Sequence, residues 1–526
     1  MQITEILARN ARMHGHKAAL IERVPGQSPL PGQKAPTLER REMTWLRFHH
    51  FSNALAHFLC DIGIRKGDRV VLLMTNDVHW LPIYFGILRS GAVAVPLNFR
   101  FAAADIERCT MLCEAKAFIF GREFIDRITA VKPVLDQSVH TWIYSGPPAD
   151  RPDFALSCID IISGGDTSEV AVSIDSGDGA GIYFTSGTTG APKGVFLRHR
   201  QLESACYVEN RHHNQSIDDN FLCIPPLYHT GAKMHWFGNF IVGAKSVLLK
   251  GVSPPAILEA VSEEHVTIVW LLVPWAHDII MAIENNEIDL SDYQLDQWRL
   301  MHIGAQPVPP ALIKKWKQYF PRQDYDTNYG LTESTGPGCV HLGIENTHKI
   351  GAIGVPGFDW ECRVVDENLA CQPANTPGEL LVKGPGVMEG YYKNPEATEA
   401  VLKNGWLHTG DIVQKDENGF LWLVDRKKDV IISGGENIFP VEIENFLMDH
   451  EDIMDVAVFG IPDDRLGEIP AAVVSVKNGR FLMEEDIKAR CAGLPRYKRP
   501  RRIIFDSVPR NPTGKIEKPK LREKYY

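Results

Sequence analysis

No stretch of this 526-residue chain approaches the ~18 consecutive apolar residues of a membrane-spanning helix, so the sequence predicts no transmembrane segment. Its opening, MQITEILARNARMHGHK, lacks the apolar centre of a secretory signal, which predicts a soluble, cytoplasmic protein. Cysteine is sparse and unpatterned: ten residues, no C-x-x-C pair, and no cysteine–histidine spacing of a zinc site. Cys109 and Cys113 read as one face of a helix, and buried reduced thiols are the expectation. Charge of neither sign dominates. With 56 Lys and Arg against 66 Asp and Glu, the net charge of -10 gives no general attraction for nucleic acid or anionic lipid. Internal repeats and low-complexity tracts are also missing, which argues against solenoids and long disordered linkers.

What is present is enough chain for at least two cores, since one core seldom grows past roughly 250 to 300 residues. Up to about residue 425, apolar strands such as Asp68 to Met74 and Gly91 to Val95 alternate with amphipathic helices. One such helix, Ala311 to Phe320, is opened by Pro309-Pro310 and puts Leu312, Trp316 and Phe320 on one face. This order predicts open α/β sheets with ligands at the strand ends. The last hundred residues read instead as a small α+β unit: a helix over Val441 to Met448, strands over Asp455 to Phe459 and Ala471 to Val476, a further helix, and the strand Arg502 to Phe505. From Leu494 to Tyr526 there are eleven Lys or Arg against three Asp or Glu. Aromatic residues are thinly placed among them, which disfavours a base-stacking platform and suits a smaller polyanion.

The segment Thr185 to Gly194, TSGTTGAPKG, follows the apolar run Ile182 to Phe184. Its three glycines, hydroxyl residues and Lys193 suit an anion, and a mobile glycine-rich linker is the alternative. Pro192 and Gly194 flank the lysine where a Walker A loop has Gly and Ser or Thr. Proline before the lysine and glycine after it both disfavour a helix start, so the segment reads as an open flap.

Five stretches in register, YFTSGTTGAPKGV (Tyr183 to Val195), NYGLTES (Asn328 to Ser334), GWLHTGD (Gly405 to Asp411), DRKKDVIISGGENI (Asp425 to Ile438) and NPTGK (Asn511 to Lys515), resemble the motifs of adenylate-forming enzymes. That superfamily includes acyl-CoA synthetases, firefly-type luciferases and peptide-synthetase adenylation domains. The resemblance covers nearly the whole chain. It implies a large α/β N-terminal domain of stacked sheets with a small β-barrel-like subdomain over residues 1–425, a hinge at 426–428, and a small mobile α+β domain over 429–526. It also implies the chemistry. A carboxylate attacks the α-phosphate of ATP, an acyl-adenylate and pyrophosphate form, and coenzyme A takes the acyl group.

Because one anion must approach another, the roles implied are mostly electrostatic. By the resemblance, Thr185, Ser186, Gly187, Thr188, Thr189, Gly190 and Lys193 surround the β- and γ-phosphates. Tyr329 stacks on adenine and Asn328 bonds its edge, with Gly330 beside them in the nucleotide site, Thr332 donates to the α-phosphate, and Glu333 with Thr185 holds Mg²⁺. Asp411 and Arg426 take the ribose. Gly304, Ala305 and Gln306 pass close to adenine and the acyl group, and His229 gates the acyl pocket. Lys515 reaches over from the small domain to the carboxylate and α-phosphate. Lys428 is the hinge, after which Gly434, Gly435 and Glu436 line a pantetheine tunnel and some of Arg496, Lys498, Arg499 and Arg501 meet the CoA nucleotide.

The acid stays open. Between Tyr228 and Phe240 no aspartate is available for a substrate ammonium, and Lys233 there is either a surface or structural residue or a partner for a second anionic group. Trp236 and Phe237 suit either an apolar acyl pocket or the core. The expected substrate is therefore a medium- or long-chain fatty, alicyclic or aromatic acid. The alternatives are a carnitine-like acid, delivery to a carrier protein rather than CoA, and a nucleotide-sensing protein without turnover. Small molecules are the expected partners, with no nucleic acid; a homodimer and a protein acetyltransferase acting on Lys515 complete the set.

Overall fold

The computed structural model describes residues 2–24, 39–185, 192–304, 308–343, 346–434, 436–510 and 516–525. Two large sheets dominate. One has seven strands in the order Asp324–Asp326, Leu300–Gly304, Ile268–Leu272, Asn220–Cys223, Lys245–Leu249, Ala18–Val24 and Glu39–Thr44. Its pairings are parallel except the last, where Ala18–Val24 and Glu39–Thr44 run antiparallel. The other has eight, from Gly390–Tyr391 through Lys193–Arg198, Gly179–Thr185, Val93–Pro96, Arg69–Leu73, Ala117–Gly121 and Thr141–Ser145 to Leu156–Ser157.

Strand residues apolar on both sides explain the stacking. In Arg69–Leu73, Val70 and Leu72 point into a core shared with the seven-stranded sheet, whereas Val71 and Leu73 face the outer helices Ala103–Cys113 and Ile125–Leu135. Across the shared core lie Trp45, Phe48, Phe85, Trp236 and Phe240, all fully buried. Phe48 meets Phe85 edge-on at 5.4 Å, and Trp236 stacks on Phe240 at 4.8 Å. Truncating one such ring costs about 3–5 kcal/mol, so Trp236→Ala is a change that would loosen this layer. Outside the seven-stranded sheet, Pro310–Tyr319 buries Leu312, Ile313 and Trp316, with Pro310 at its first turn where no amide is needed.

A five-stranded antiparallel sheet, Glu361–Val365, Gly378–Lys383, Trp406–Lys415, Leu402–Lys403 and Leu421–Arg426, is tied to a three-stranded one by the bridge between Gly354 and Leu421. This pair of antiparallel sheets stands in the region expected to hold the barrel-like subdomain. After Leu421–Arg426 comes a short turn, Lys427–Asp429, and then Ile431–Ser433 begins a separate sheet with Glu436–Ile438, Gly467–Val476, Ile453–Asp463 and Arg502–Phe505. That sheet has its own core around Ile443, Leu447, Val456, Val458, Val474 and Ile487. All ten cysteines are free; seven are buried, and Cys371 is exposed. Among the described residues no helix is long and apolar enough to cross a membrane.

Candidate active site

The strands Gly179–Thr185 and Lys193–Arg198 are antiparallel neighbours with Thr185 opposite Lys193, so the glycine-rich segment closes a β-hairpin and does not open a helix. Ser186, Gly187, Thr188, Thr189 and Gly190 lie outside the described residues. Thr185 Oγ1 donates to the carbonyl of Lys193 at 3.5 Å. On the other edge of Lys193–Arg198 pairs the two-residue strand Gly390–Tyr391. Gly390 sits at φ 151°, and a Cβ there would lie 2.7 Å from Thr398 Cγ2, so only glycine lets the chain turn here. Lys193 Nζ stands 5.1 Å from the centroid of the Tyr391 ring, and the Tyr391 hydroxyl donates to Glu333 Oε1 at 2.8 Å. One tyrosine thus links the loop's lysine to the carboxylate of the next motif. Burial, and then Glu333 itself, push the Tyr391 phenol well above its ordinary range, which keeps it a donor.

Asn328–Leu331 leads into the tight turn Thr332–Ser334, closed by Ser334 Oγ accepting from Leu331 N at 2.8 Å and by Thr335 at φ 58°. Positive φ is rare for a β-branched residue, and this turn is fixed from several sides. Met388 N donates to the Glu333 carbonyl at 2.8 Å, and Thr230 Oγ1 reaches Thr332 Oγ1 at 3.5 Å. Thr230 opens the helix Thr230–Phe240, whose cap is His229, accepting from Gly231 N at Nδ1 (3.2 Å). His229 and Thr332 are therefore brought to one place through Thr230. Asn328 Nδ2 is turned inward, donating to Glu209 Oε1 at 3.2 Å, so its amide oxygen is the group left to accept from a ligand N–H.

Asp411 follows Gly410, at φ 70°, in the bulged strand Trp406–Lys415 and is 1% exposed. Tyr329 donates its hydroxyl to Asp411 Oδ2 at 2.5 Å, and Arg426 Nε, opposite in register, lies 2.7 Å from Oδ1. Hydrogen bonds to a charged group contribute about 1.5–3 kcal/mol each. Burial, reinforced by Asp411, raises the Tyr329 phenol well above its usual value. The carboxylate, phenol and guanidinium are thus held at fixed positions before any ligand arrives.

Gly304 ends its strand fully buried, and a Cβ added to it would meet Thr327 Oγ1 and Trp270 Nε1 at 3.8 Å, an ordinary contact. The protein itself does not demand glycine there. Ala305 and Gln306 lie outside the described residues, as do Gly435 and Lys515. Lys515 falls between Arg510 and Ile516, which pair as a β-bridge, and Arg510 Nη2 binds Asp455 Oδ1 at 2.7 Å. Gly330 is exposed. Gly434 turns at φ 60° and Glu436 is exposed, pairing opposite Ser433. Of the basic residues near the C-terminus, Lys498 is paired with Glu442 at 2.7 Å, and Arg499 donates to the carbonyls of Leu494 and Ala492. Arg496 and Arg501 are exposed.

Lys233 is not at the surface. It is 0% exposed, its Nζ lies 4.1 Å from the Tyr183 ring centroid and 4.5 Å from that of Tyr84, and among the described residues no hydrogen-bond partner reaches that nitrogen. Burial lowers its amine well below the usual lysine value. Trp236 and Phe237 belong to the core. Sequence reasoning missed Tyr391 and Thr230, which no spacing connects to Glu333 and Thr332. It also missed the buried group behind Asn328, although Glu209, His212 and His213 stand at i, i+3 and i+4 of the helix His199–His213.

A family profile of AMP-binding enzymes matches residues 7–392, and the profile of the AMP-binding enzyme C-terminal domain matches residues 442–515. Among curated proteins, a long-chain-fatty-acid–CoA ligase of Mycobacterium tuberculosis is 33% identical over 487 residues, which is 92% of this chain and 93% of that protein. A feruloyl-CoA synthase of an Amycolatopsis species is 34% identical over 480 residues, 90% of this chain and 91% of its own. Among solved structures, a Mycobacterium tuberculosis fatty acyl CoA synthetase is similar with a TM-score of 0.76 at 30% identity, over 100% of this chain and 98% of the other. An anthranilate CoA ligase in complex with anthranoyl-AMP gives 0.87 at 26% identity, over 100% and 97%.

Proposed function

We propose, from the premise that this chain belongs to the AMP-binding enzymes as an AMP-forming acyl-CoA ligase of the adenylate-forming superfamily, that its acid is a hydrophobic monocarboxylic acid, whether fatty, alicyclic or aromatic. Ligases of this kind consume ATP and CoA. The observation that carries the choice of acid is the helix Thr230–Phe240. Its charged candidate for a second substrate carboxylate, Lys233, is sequestered under Tyr84 and Tyr183, and its His235 is committed to the Gly231 carbonyl. A dicarboxylic or amino acid would find no charge to pair with on this helix.

The chemistry asks for positive charge and donors around an α-phosphate approached by a carboxylate. In this reading Lys193 and Thr185 hold the departing pyrophosphate, Thr332 donates to the α-phosphate, and Asp411 accepts both ribose hydroxyls while Arg426 keeps it oriented. Asn328 accepts from the adenine amino group through its amide oxygen. Glu333 and Thr185 offer carboxylate and hydroxyl oxygens, which suit Mg²⁺, a hard cation that neutralises phosphate charge when bound. Lys515 supplies the last positive charge from the small domain, over residues 429–526, and His229 stands at the acyl entrance. The turn Lys427–Asp429 joins two sheets with separate cores, which supports a hinge at 426–428.

AMP release should be measured over a panel of carboxylic acids with ATP, with and without CoA. The expected result is AMP dependent on both acid and CoA, with hydrophobic monocarboxylic acids turned over fastest. Preference for a dicarboxylate, for an amino acid or for a carnitine-like acid would overturn the acid assignment. An adenylate that CoA does not discharge would favour a carrier protein as acceptor.

A further inference from the structure

Behind Asn328, on the side away from the nucleotide, lies a polar cluster with no access to water. Glu209, His212, His213, His302 and Asp326 are each buried to 2% exposure or less, and His235 to 3%. They come from the helix His199–His213, the helix Thr230–Phe240 and the strands Leu300–Gly304 and Asp324–Asp326. Two carboxylates are thus sealed in the interior. Among the described residues no lysine or arginine nitrogen lies within 4.0 Å of either of them, and their near cationic candidates are histidines. Burying two carboxylates without compensating charge is strongly unfavourable.

The hydrogen bonds constrain where the protons are. His235 Nδ1 faces the Gly231 carbonyl at 2.6 Å, so that nitrogen carries the proton. His235 Nε2 is then the acceptor, and Asn328 Nδ2, already oriented by donation to Glu209 Oε1, faces it at 3.3 Å. One proton arrangement that satisfies the ring contacts has His302 Nε2, rather than Asn328, donating to that nitrogen at 2.8 Å and His302 Nδ1 accepting from His213 Nε2 at 3.0 Å. The remaining nitrogen of His213, Nδ1, therefore presents a lone pair, and it looks at Glu209 Oε2 across 3.7 Å. His212 Nδ1 lies 4.0 Å from the same oxygen, while its Nε2 is 2.6 Å from Asp326 Oδ2. Among the described residues Glu209 Oε2, His212 Nδ1 and His213 Nδ1 have no hydrogen bond.

A carboxylate oxygen and two imidazole nitrogens, buried close together without hydrogen bonds among the described residues, make a candidate cation site. We propose that Glu209, His212 and His213 bind one divalent transition-metal ion of the zinc class, with Asp326 and His302 as the outer partners that orient the two imidazoles. One donor atom from each of the three ligands lies within 4.8 Å of the others. Tetrahedral coordination at ~2.0–2.1 Å brings donors to about 3.3 Å, so the three side chains must rotate inward from the separations of 3.7 and 4.0 Å that they keep here. Two imidazoles and one carboxylate suit a borderline ion such as Zn²⁺ rather than Mg²⁺. Carboxylate and imidazole partners behind the ligating rings are the usual outer shell of such a centre. The ion would balance both carboxylates. It would also pin the helix His199–His213 to the strand end that carries Asn328, so its role is structural and its loss would be felt at the adenine side. The inference stands whichever acid is the substrate.

The full chain should be purified without metal-affinity resin, and its metal content measured by mass spectrometry. One transition-metal ion per chain is expected, lost in Glu209→Gln and retained in Cys371→Ser, the control for the exposed thiol. Zinc should raise the thermal midpoint of chelator-treated wild type and not that of Glu209→Gln. Should Glu209→Gln fail to fold, cobalt(II) loaded into chelator-treated wild type decides alone: a visible tetrahedral d–d spectrum is expected. No stoichiometric metal with no cobalt spectrum would overturn the site in favour of ordered water, as would metal that survives Glu209→Gln or departs with Cys371→Ser.

Discussion

The large body and the small C-terminal unit handle charge in opposite ways. In the body the candidate site groups are tied to one another: Tyr329 and Arg426 hold Asp411, Tyr391 holds Glu333, and the turn Thr332–Ser334 is fastened by Met388 and Ser334. The small unit has a core of its own, and where it meets the body Val441 N donates to Asp425 Oδ2 at 2.9 Å. Asp425, half of that contact, is pushed up to about 6 by burial. On the proposed swing of the small unit, this difference would let one chain serve two half-reactions. Preorganised groups that see every step belong on the rigid side, and the group needed for only one step belongs on the side that can leave.

The sharpest way to break this comparison is to remove the charge that the small unit is proposed to contribute. Lys515→Ala should lower acid-dependent exchange of pyrophosphate with ATP by about 10²- to 10³-fold. Thioester formation from supplied acyl-adenylate should survive in that variant; equal loss in both assays would mean the lysine serves the whole enzyme. A smaller effect is expected inside the body. Asp411→Asn weakens hydrogen bonds worth about 1.5–3 kcal/mol, so the KM for ATP should rise roughly 10- to 100-fold with both half-reactions affected alike. Tyr329→Phe removes one donor to the same carboxylate, and about tenfold is expected in the same measurement.

The smallest effect tests the body's interior. Lys233 is buried with its amine held well below the ordinary value by desolvation, so the folded state binds fewer protons than the unfolded one up to the usual lysine range. Stability must therefore rise with pH through that window, and the cost is larger at neutral pH than near pH 10. Lys233→Met should raise the thermal midpoint by a few degrees at pH 7 and by less near pH 10, with the acid preference unchanged. A lowered midpoint at pH 7, or a changed acid preference, would return Lys233 to the substrate.

Much of the architecture was legible because it is local. The continuous apolar run of Arg69–Leu73 and the paired prolines at Pro309-Pro310 mark their own elements, and the helix Pro440–Met448 and strand Arg502–Phe505 lie within a residue of where the pattern puts them. The motif order identified the chemistry through resemblance. Spacing could not supply the contacts that build the site. Tyr391 meets Glu333 from 58 positions away, and Asn328 meets Glu209 from 119. Lys233 was unreadable for another reason: Thr230–Phe240 is buried on nearly every face, so no polar stripe tells which side chain points where.

The proposed exchange of poses concentrates at Lys428, in the turn between the two cores. Proline there fixes φ, and a single-turnover experiment with Lys428→Pro separates the half-reactions. The account predicts an acyl-adenylate burst like that of the wild type and almost no thioester. Thioester formed at the wild-type rate would contradict it.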